Sequence, residues 1–277
     1  MNTYDIRLIV MDMDGTLLSS QQSISAENMK ALALAQQQGI KIALCTGRLP
    51  GDASLYAVQA GLPEIAILSL NGSYCLHKPH GQAYTNHVLD DKALETCVKI
   101  LIAEKSEFAC YAQNSFIEYA DEDDTDKVSV LAGMKKNCEG APKYYMGMEE
   151  INRFRNSGIN KISCYERDRE RLPYLCRALE GVLGIEVTSS WAQSIEIMPK
   201  GINKGLAVRE LAETLGLARE NVMTFGDYDN DVTMIDYAGL GVAMSNATDS
   251  VKAVADYVTL SNDEDGVADA IRRFALK

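Results

Sequence analysis

The sequence predicts an α/β protein: a doubly wound, mostly parallel core sheet interrupted by an inserted α+β unit. Three observations carry this. Short apolar runs alternate with helical patterns over residues 6–72, the order of a parallel sheet covered on both faces. The same alternation resumes after Pro199-Lys200-Gly201. The stretch between is strand-rich and mixed, so the expected division is a core of residues 1–83 plus 191–277 and an insertion of 84–190.

Leu8-Ile9-Val10-Met11 are continuously apolar up to Asp12, as a buried strand should be. "SISAENMKALALAQQQG" reads as a helix, with Ser25 as N-cap and Gly39 as the stop. "IKIALCTG" is a second buried strand, a helix runs on to about Gly61, and "EIAILSLNG" is a third strand. In the insertion, "DDKALETCVKILIAEK" is an amphipathic helix and "EFACYAQ" with "SFIEYA" forms a hairpin about Asn114. The acidic run 121–126 reads as a solvated loop. "KISCYER", a helix near 171–182, "IEVTSSW" and "SIEIMP" complete it. Then come the helix "NKGLAVRELAETLG", the strand "NVMTFGD", the helix "DVTMIDYAG", the strand "LGVAMSN", the helix "TDSVKAVAD", the short strand "YVTL" and a final helix.

Composition limits the function. The 277 residues carry a net charge of -12, with no basic tract, so nucleic acid is a poor partner. That field also repels phosphorylated metabolites, so a phosphate site has to be locally positive. The 7 cysteines, Cys45, Cys75, Cys97, Cys110, Cys138, Cys164 and Cys176, are widely spaced and odd in number. They read as reduced thiols of a cytoplasmic protein. No apolar signal core and no run approaching a membrane span is present, so no membrane partner is expected.

The chemistry sits at the strand ends. The first strand ends in Asp12-Met13-Asp14-Gly15-Thr16, the second in Thr46-Gly47-Arg48, and the strand 221–225 in Gly226-Asp227, followed by Asp229, Asn230 and Asp231. Open α/β sheets bind ligands outside the carboxyl ends of their strands, so these residues share one crevice. Asp12, Asp14 and Asp227 together call for a cation, and an all-oxygen set suits magnesium. Lys204, after the N-cap Asn203, opposes its own helix dipole unless lysine and helix start both serve an anion. The Thr46 hydroxyl, the Gly47 N–H and Lys204 are then candidates to hold a phosphoryl group. Asp12 is placed for in-line attack on phosphorus, and Asp14 to protonate the leaving oxygen and then activate water.

Each motif alone has a plainer reading. Asp12 and Asp14 could cap a strand, Thr-Gly-Arg could be structural, Lys204 a surface lysine, and "HKPH" (77–80) a polar loop. A calcium loop at "DYDND" fails, because the required Gly and Glu positions fall on Val232 and Ala238.

As a set, "DMDGTLL", "TGR", "PKGINKG" and "GDYDND" resemble the four motifs of the haloacid-dehalogenase (HAD) superfamily. Their order and the large insertion are similar to subclass IIB, the Cof-type sugar-phosphate phosphatases, as are "GVAMSNA" and "NDEDGVA". The resemblance implies a Rossmann-like core with a cap of type C2B. It implies Mg2+ as cofactor and a small phosphorylated metabolite as substrate. Asp12 would be nucleophile and metal ligand, and Asp14 acid/base, lending its backbone carbonyl to the metal. Thr46, Gly47, Lys204 and Asn230 would bind phosphate. Asp227 would be a metal ligand, with Arg48 and Asp231 supporting. A phosphomannomutase-like phosphotransferase shares the cap class. A phospho-receiver or metabolite-binding module is the non-enzymatic alternative, and it leaves Asp14 without a role.

Overall fold

The computed structural model describes residues 4–119, 141–166 and 168–277. Two sheets organise the chain. The eight-stranded core sheet contains β1 (Leu8–Met11), β2 (Lys41–Cys45), β3 (Ala66–Ser69), β4 (Tyr74–Leu76), β5 (Ala83–Asn86), β12 (Val222–Gly226), β13 (Leu240–Ala243) and β14 (Tyr257–Val258). Its order is β14-β13-β12-β1-β2-β3-β4-β5. The strands from β14 to β3 pair in parallel, and β4 and β5 add an antiparallel edge.

β1 lies between β12 and β2, and all four of its residues are buried. Its alternation divides the core. Ile9 and Met11 pack into one layer, with α1 (Ala26–Gln37), α2 (Pro50–Gln59) and the C-terminal helix on that face. Leu8 and Val10 face the opposite layer. A strand covered on both sides cannot alternate polar and apolar residues, which is why 8–11 reads as one apolar run. Ser25 caps α1 by accepting from the Asn28 N–H at 3.0 Å.

The second sheet has six strands, β6 (Glu107–Ala112), β7 (Ser115–Glu118), β8 (Lys143–Met146), β9 (Lys161–Tyr165), β10 (Ile185–Thr188) and β11 (Ser194–Pro199), in the order β10-β11-β9-β6-β7-β8. All its pairings are antiparallel except β7 with β8. Helices α3 (Asp91–Ala103), α4 (Met148–Arg155) and α5 (Leu172–Leu179) contribute to its separate apolar core. This sheet is the cap.

The expected boundaries at 83/84 and 190/191 need correction, because both misassign a strand. β5 completes an antiparallel hairpin with β4 and belongs to the core sheet. β11 pairs with β9 and β10 and belongs to the cap. The chain leaves the core after β5 and returns before α6 (Lys204–Thr214). The acidic run 121–126 and Cys138 lie outside the described residues. Cys45, Cys75, Cys97, Cys110, Cys164 and Cys176 are free thiols. Among the described residues, no helix is long and apolar enough to cross a membrane.

Candidate active site

β1, β2 and β12 are adjacent and parallel, so their carboxyl ends open on one crevice. Asp12 continues β1, its N–H bonded to the Phe225 carbonyl at 3.0 Å. Asp227 follows β12, and a short 3-10 turn, Asp229–Asp231, leads into α7 (Val232–Tyr237). Carboxylate oxygens of Asp12, Asp227 and Asp231 lie within 4.8 Å of one another. The sequence placed Asp14 in the metal group with Asp12 and Asp227. The third carboxylate in this cluster is that of Asp231, while the Asp14 side chain is turned to Arg48, which leaves only its backbone carbonyl as the expected metal contact.

Lys204 is the first residue of α6 and fully buried, so the plain surface reading fails. Its ammonium donates to Asp12 Oδ1 and Asp231 Oδ1, both at 2.6 Å. These carboxylates offset the unfavourable dipole at the helix start. Burial would lower the Lys204 pKa, but Asp12 and Asp231 outweigh it and raise it. Asp231 also accepts from the backbone N–H groups of Asp227 at 2.9 Å and Tyr228 at 3.1 Å. With Lys204 it has three donors, a satisfied buried carboxylate that pins the turn.

The remaining two acids are strained electrostatically. Burial pushes the Asp12 pKa well above the usual carboxylate range; Lys204 opposes this, while Asp231, Asp227 and Asp14 add repulsion. Asp227 is pushed up to about 7, by burial first and then by Asp231, against the Thr16 hydrogen bond and Lys204. The Thr16 hydroxyl donates to Asp227 Oδ1 at 2.7 Å. One ammonium against three clustered carboxylates leaves an excess of negative charge, and the donor set is all oxygen. These residues fit a magnesium ion.

Gly15 and Gly226 allow this crowding. Gly15 has φ +76, and a Cβ there would lie 2.3 Å from Asp227 Oδ2. At Gly226 a Cβ would lie 2.5 Å from the Cβ of Asp231.

Asp14 behaves differently. The Arg48 guanidinium grips it at both oxygens, 2.6 Å each, and also bonds to Gln22. Burial works to raise the Asp14 pKa, but the Arg48 bonds and charge and the Gln22 bond hold it below the ordinary value. Thr46 is buried, its hydroxyl accepting from the Arg48 N–H at 3.2 Å. Burial pushes the Cys45 thiol pKa well up, which leaves it unreactive beside these groups.

Several residues at the site carried no recognised signal. Asn230 donates to Asn71 Oδ1 at 3.2 Å, and Asn71 follows β3. Asn71 in turn meets the cap residue Glu196. Lys161 of β9 donates to the Gly47 carbonyl at 2.8 Å. A charge inside an apolar stretch, as in "SIEIMP", was the available clue. Tyr111, Phe116, Tyr144 and Trp191 of the cap, with Asp14 and Arg48, line a cavity of about 560 Å3 between the two sheets. His77 and His80 lie outside the acidic cluster, and His77 stacks on Tyr84 with centroids 4.3 Å apart.

Carboxylates on central strand ends, a buried lysine at a helix start and a cap inserted after the core's antiparallel edge are the features of a haloacid dehalogenase-like hydrolase. The family model for haloacid dehalogenase-like hydrolases matches residues 9–271, and the chain belongs to that family. A 5-amino-6-(5-phospho-D-ribitylamino)uracil phosphatase of Bacillus subtilis is 33% identical over 98% of this chain and 97% of its own. A pyridoxal phosphate phosphatase of Escherichia coli is 29% identical over 96% and 97%. A solved haloacid dehalogenase-like hydrolase from B. subtilis superposes with a TM-score of 0.83, at 27% identity, over 96% of this chain and 99% of that one. The activity of the chain is that of a phosphatase.

Proposed function

We propose that the protein is a magnesium-dependent phosphatase that hydrolyses small phosphorylated metabolites, sugar phosphates among them, through an aspartyl phosphate on Asp12. The observation that carries this is the cluster of Asp12, Asp227 and Asp231 around a buried Lys204. A phospho-receiver would need the acidic pocket but neither the Arg48-held Asp14 nor a domain-sized cap. The named substrates of the two relatives, a ribitylaminouracil phosphate and pyridoxal phosphate, both carry a ring and one phosphate. A cavity walled by aromatic side chains suits such leaving groups.

Asp12, Asp227 and the backbone carbonyl of Asp14 are the proposed holders of the cation, with Asp231 supporting from behind. When bound, the metal keeps Asp12 ionised and neutralises phosphate charge. Lys204, Thr46, the Gly47 N–H and Asn230 hold the phosphoryl oxygens. Asp12 attacks phosphorus, and the P–O bond to the leaving group breaks as Asp14, entering in its protonated form, delivers that proton to the oxygen. Asp14, now a base, takes a proton from water, which attacks the aspartyl phosphate and frees Asp12 and inorganic phosphate. The cap excludes bulk water while this proceeds.

The test is a metabolite panel assayed with chelator, then with Mg2+ restored, in the wild type and in Asp12→Asn. Turnover should need Mg2+. The near-isosteric variant should fold and lose at least about 10³ in rate, which is about 4 kcal/mol of barrier. Full turnover in chelator after metal stripping, or in Asp12→Asn, would refute the reading. Release of inorganic phosphate without a bisphosphate activator separates hydrolysis from a phosphomutase-like transfer.

A further inference from the structure

Besides the acidic centre, a second buried charged group bridges the two sheets. Lys161 and Glu196 come from neighbouring antiparallel cap strands, with Glu196 opposite Ser163 in the register. Lys161, Ser163 and Glu196 therefore share one face of the cap sheet. Ile162, Cys164, Ile195 and Ile197 take the other and fill the cap core. The charged face meets the core domain. Lys161 and Glu196 are 2% and 3% exposed. Their ion pair measures 2.5 Å, and Lys161 Nζ lies 4.5 Å from the centre of the Tyr111 ring.

An ion pair this deep gives little or no net stability, because desolvation offsets its attraction. What distinguishes this one is where its remaining bonds go. Lys161 donates to the Gly47 carbonyl at 2.8 Å. Glu196 Oε2 accepts from Asn71 Nδ2 at 2.7 Å. Asn71 Oδ1 accepts from Asn230 Nδ2 at 3.2 Å, and the Asn71 N–H donates to the Thr46 carbonyl at 3.0 Å. Each route ends on Thr46, Gly47 or Asn230, the groups assigned above to the phosphoryl oxygens. The core side is also held in an uncommon backbone state. Leu70 and Asn71 both have positive φ, 51 and 55. Asparagine tolerates this region, but a leucine such as Leu70 keeps such an angle only where its surroundings enforce it.

We propose that Lys161, Glu196 and Asn71 form an interdomain positioning relay, through which the docked cap sets the Thr46–Gly47 loop and Asn230 for phosphate. This rests on the phosphate-site reading above. It gives the cap a second task besides choosing the leaving group. Lys161 and Glu196 line the same cavity as Asp12 and Asp14, but the relay acts through Gly47, Thr46 and Asn230, on which its bonds converge. Removing the relay therefore loosens the site for every phosphate ester alike, including one too small to reach the aromatic wall.

The experiment uses the full chain with Mg2+ and two variants. In Lys161→Met/Glu196→Gln the charges leave together, so no uncompensated buried ion remains. In Asn71→Gly the ion pair stays, and glycine keeps the left-handed backbone at no steric cost. Each is assayed on p-nitrophenyl phosphate and on the best sugar phosphate, and titrated with inorganic phosphate by calorimetry. The relay predicts that kcat falls about 10- to 100-fold on both esters by the same factor, and that phosphate affinity weakens about 10-fold, with melting still cooperative. A purely structural pair predicts a lower Tm with unchanged kcat and unchanged phosphate affinity, and that result would overturn the proposal. So would a loss confined to the sugar phosphate. Wild-type turnover in the same assay tests the phosphatase reading separately, because the calorimetric comparison reads the relay without turnover.

Discussion

Asp12 and Asp14 stand two residues apart, yet their surroundings push them in opposite directions. Asp12 is raised by burial and by its acidic neighbours, Asp14 is lowered by Arg48 and Gln22. The held Asp14 is ionised near neutrality, which suits the base of the second step more than the acid of the first. Arg48→Ala should raise the Asp14 pKa toward the ordinary carboxylate value. The acid form then persists to higher pH, so the falling limb that reports Asp14 in kcat/KM for an alkyl phosphate should move to higher pH. An unmoved limb would show that Arg48 does not hold Asp14 during turnover. Asp227 gives a second test. A carboxyl with a raised folded pKa binds a proton in the folded chain that the unfolded chain releases. Its contribution to metal-free stability therefore falls as pH rises from about 4 to about 7. Mg2+ competes with that proton. The rise in Tm that Mg2+ produces should be small near the bottom of this window, grow through it and level off above it. An equal rise at both ends would remove Asp227 from the metal site.

At the scale of the element, the strands whose ends carry Asp12, Thr46 and Asp227 were legible because their signals are local. A four- or five-residue apolar run ending in acid, hydroxyl or glycine needs no partner to be read. Lys161, Glu196 and Asn71 were not legible as a group, since only the cap register and its docking bring them together. The boundary at 190/191 was misplaced for a related reason. β11 is buried along its whole length, as the core strands are, so its burial could not reveal its sheet. Thr16 lay inside a recognised motif, yet its bond to Asp227 crosses 211 positions. The turn after β1 has its own requirement. Gly15 has φ +76 and sits under the Asp227 carboxylate, so alanine there meets both backbone strain and a direct clash. Gly15→Ala should destabilise the fold by about 1–3 kcal/mol and weaken Mg2+ binding, because Asp227 has to move. Normal Mg2+ affinity with a lowered Tm would mean that the turn yields instead of the carboxylate.

For the whole molecule, the net charge of -12 opposes a phosphorylated substrate. Its binding therefore has to come from the enclosed space between the sheets. The two walls of that space differ in kind. The core wall presents Thr46, Gly47, Asn230 and Asp12, the groups proposed to meet the phosphate common to all substrates. The cap wall presents Tyr111, Phe116, Tyr144 and Trp191, placed by the proposal against what differs between them. Trp191 is half-exposed and stacks on Tyr165 with centroids 5.5 Å apart, so its ring is held firmly while one part stays open to the cavity. Trp191→Ala should then act selectively. Losing one aromatic contact costs about 0.5–1.5 kcal/mol beyond the lost area, so kcat/KM for a ring-bearing phosphate should fall about 3- to 10-fold. A short acyclic ester such as glycerol phosphate makes no stacking contact and should be nearly unaffected. The relay variants predict the reverse pattern, a common factor for all esters. Measuring both sets on the same panel separates selection by the cap from positioning by the cap. If Trp191→Ala lowers every substrate equally, the aromatic wall holds the cap in place and does not discriminate.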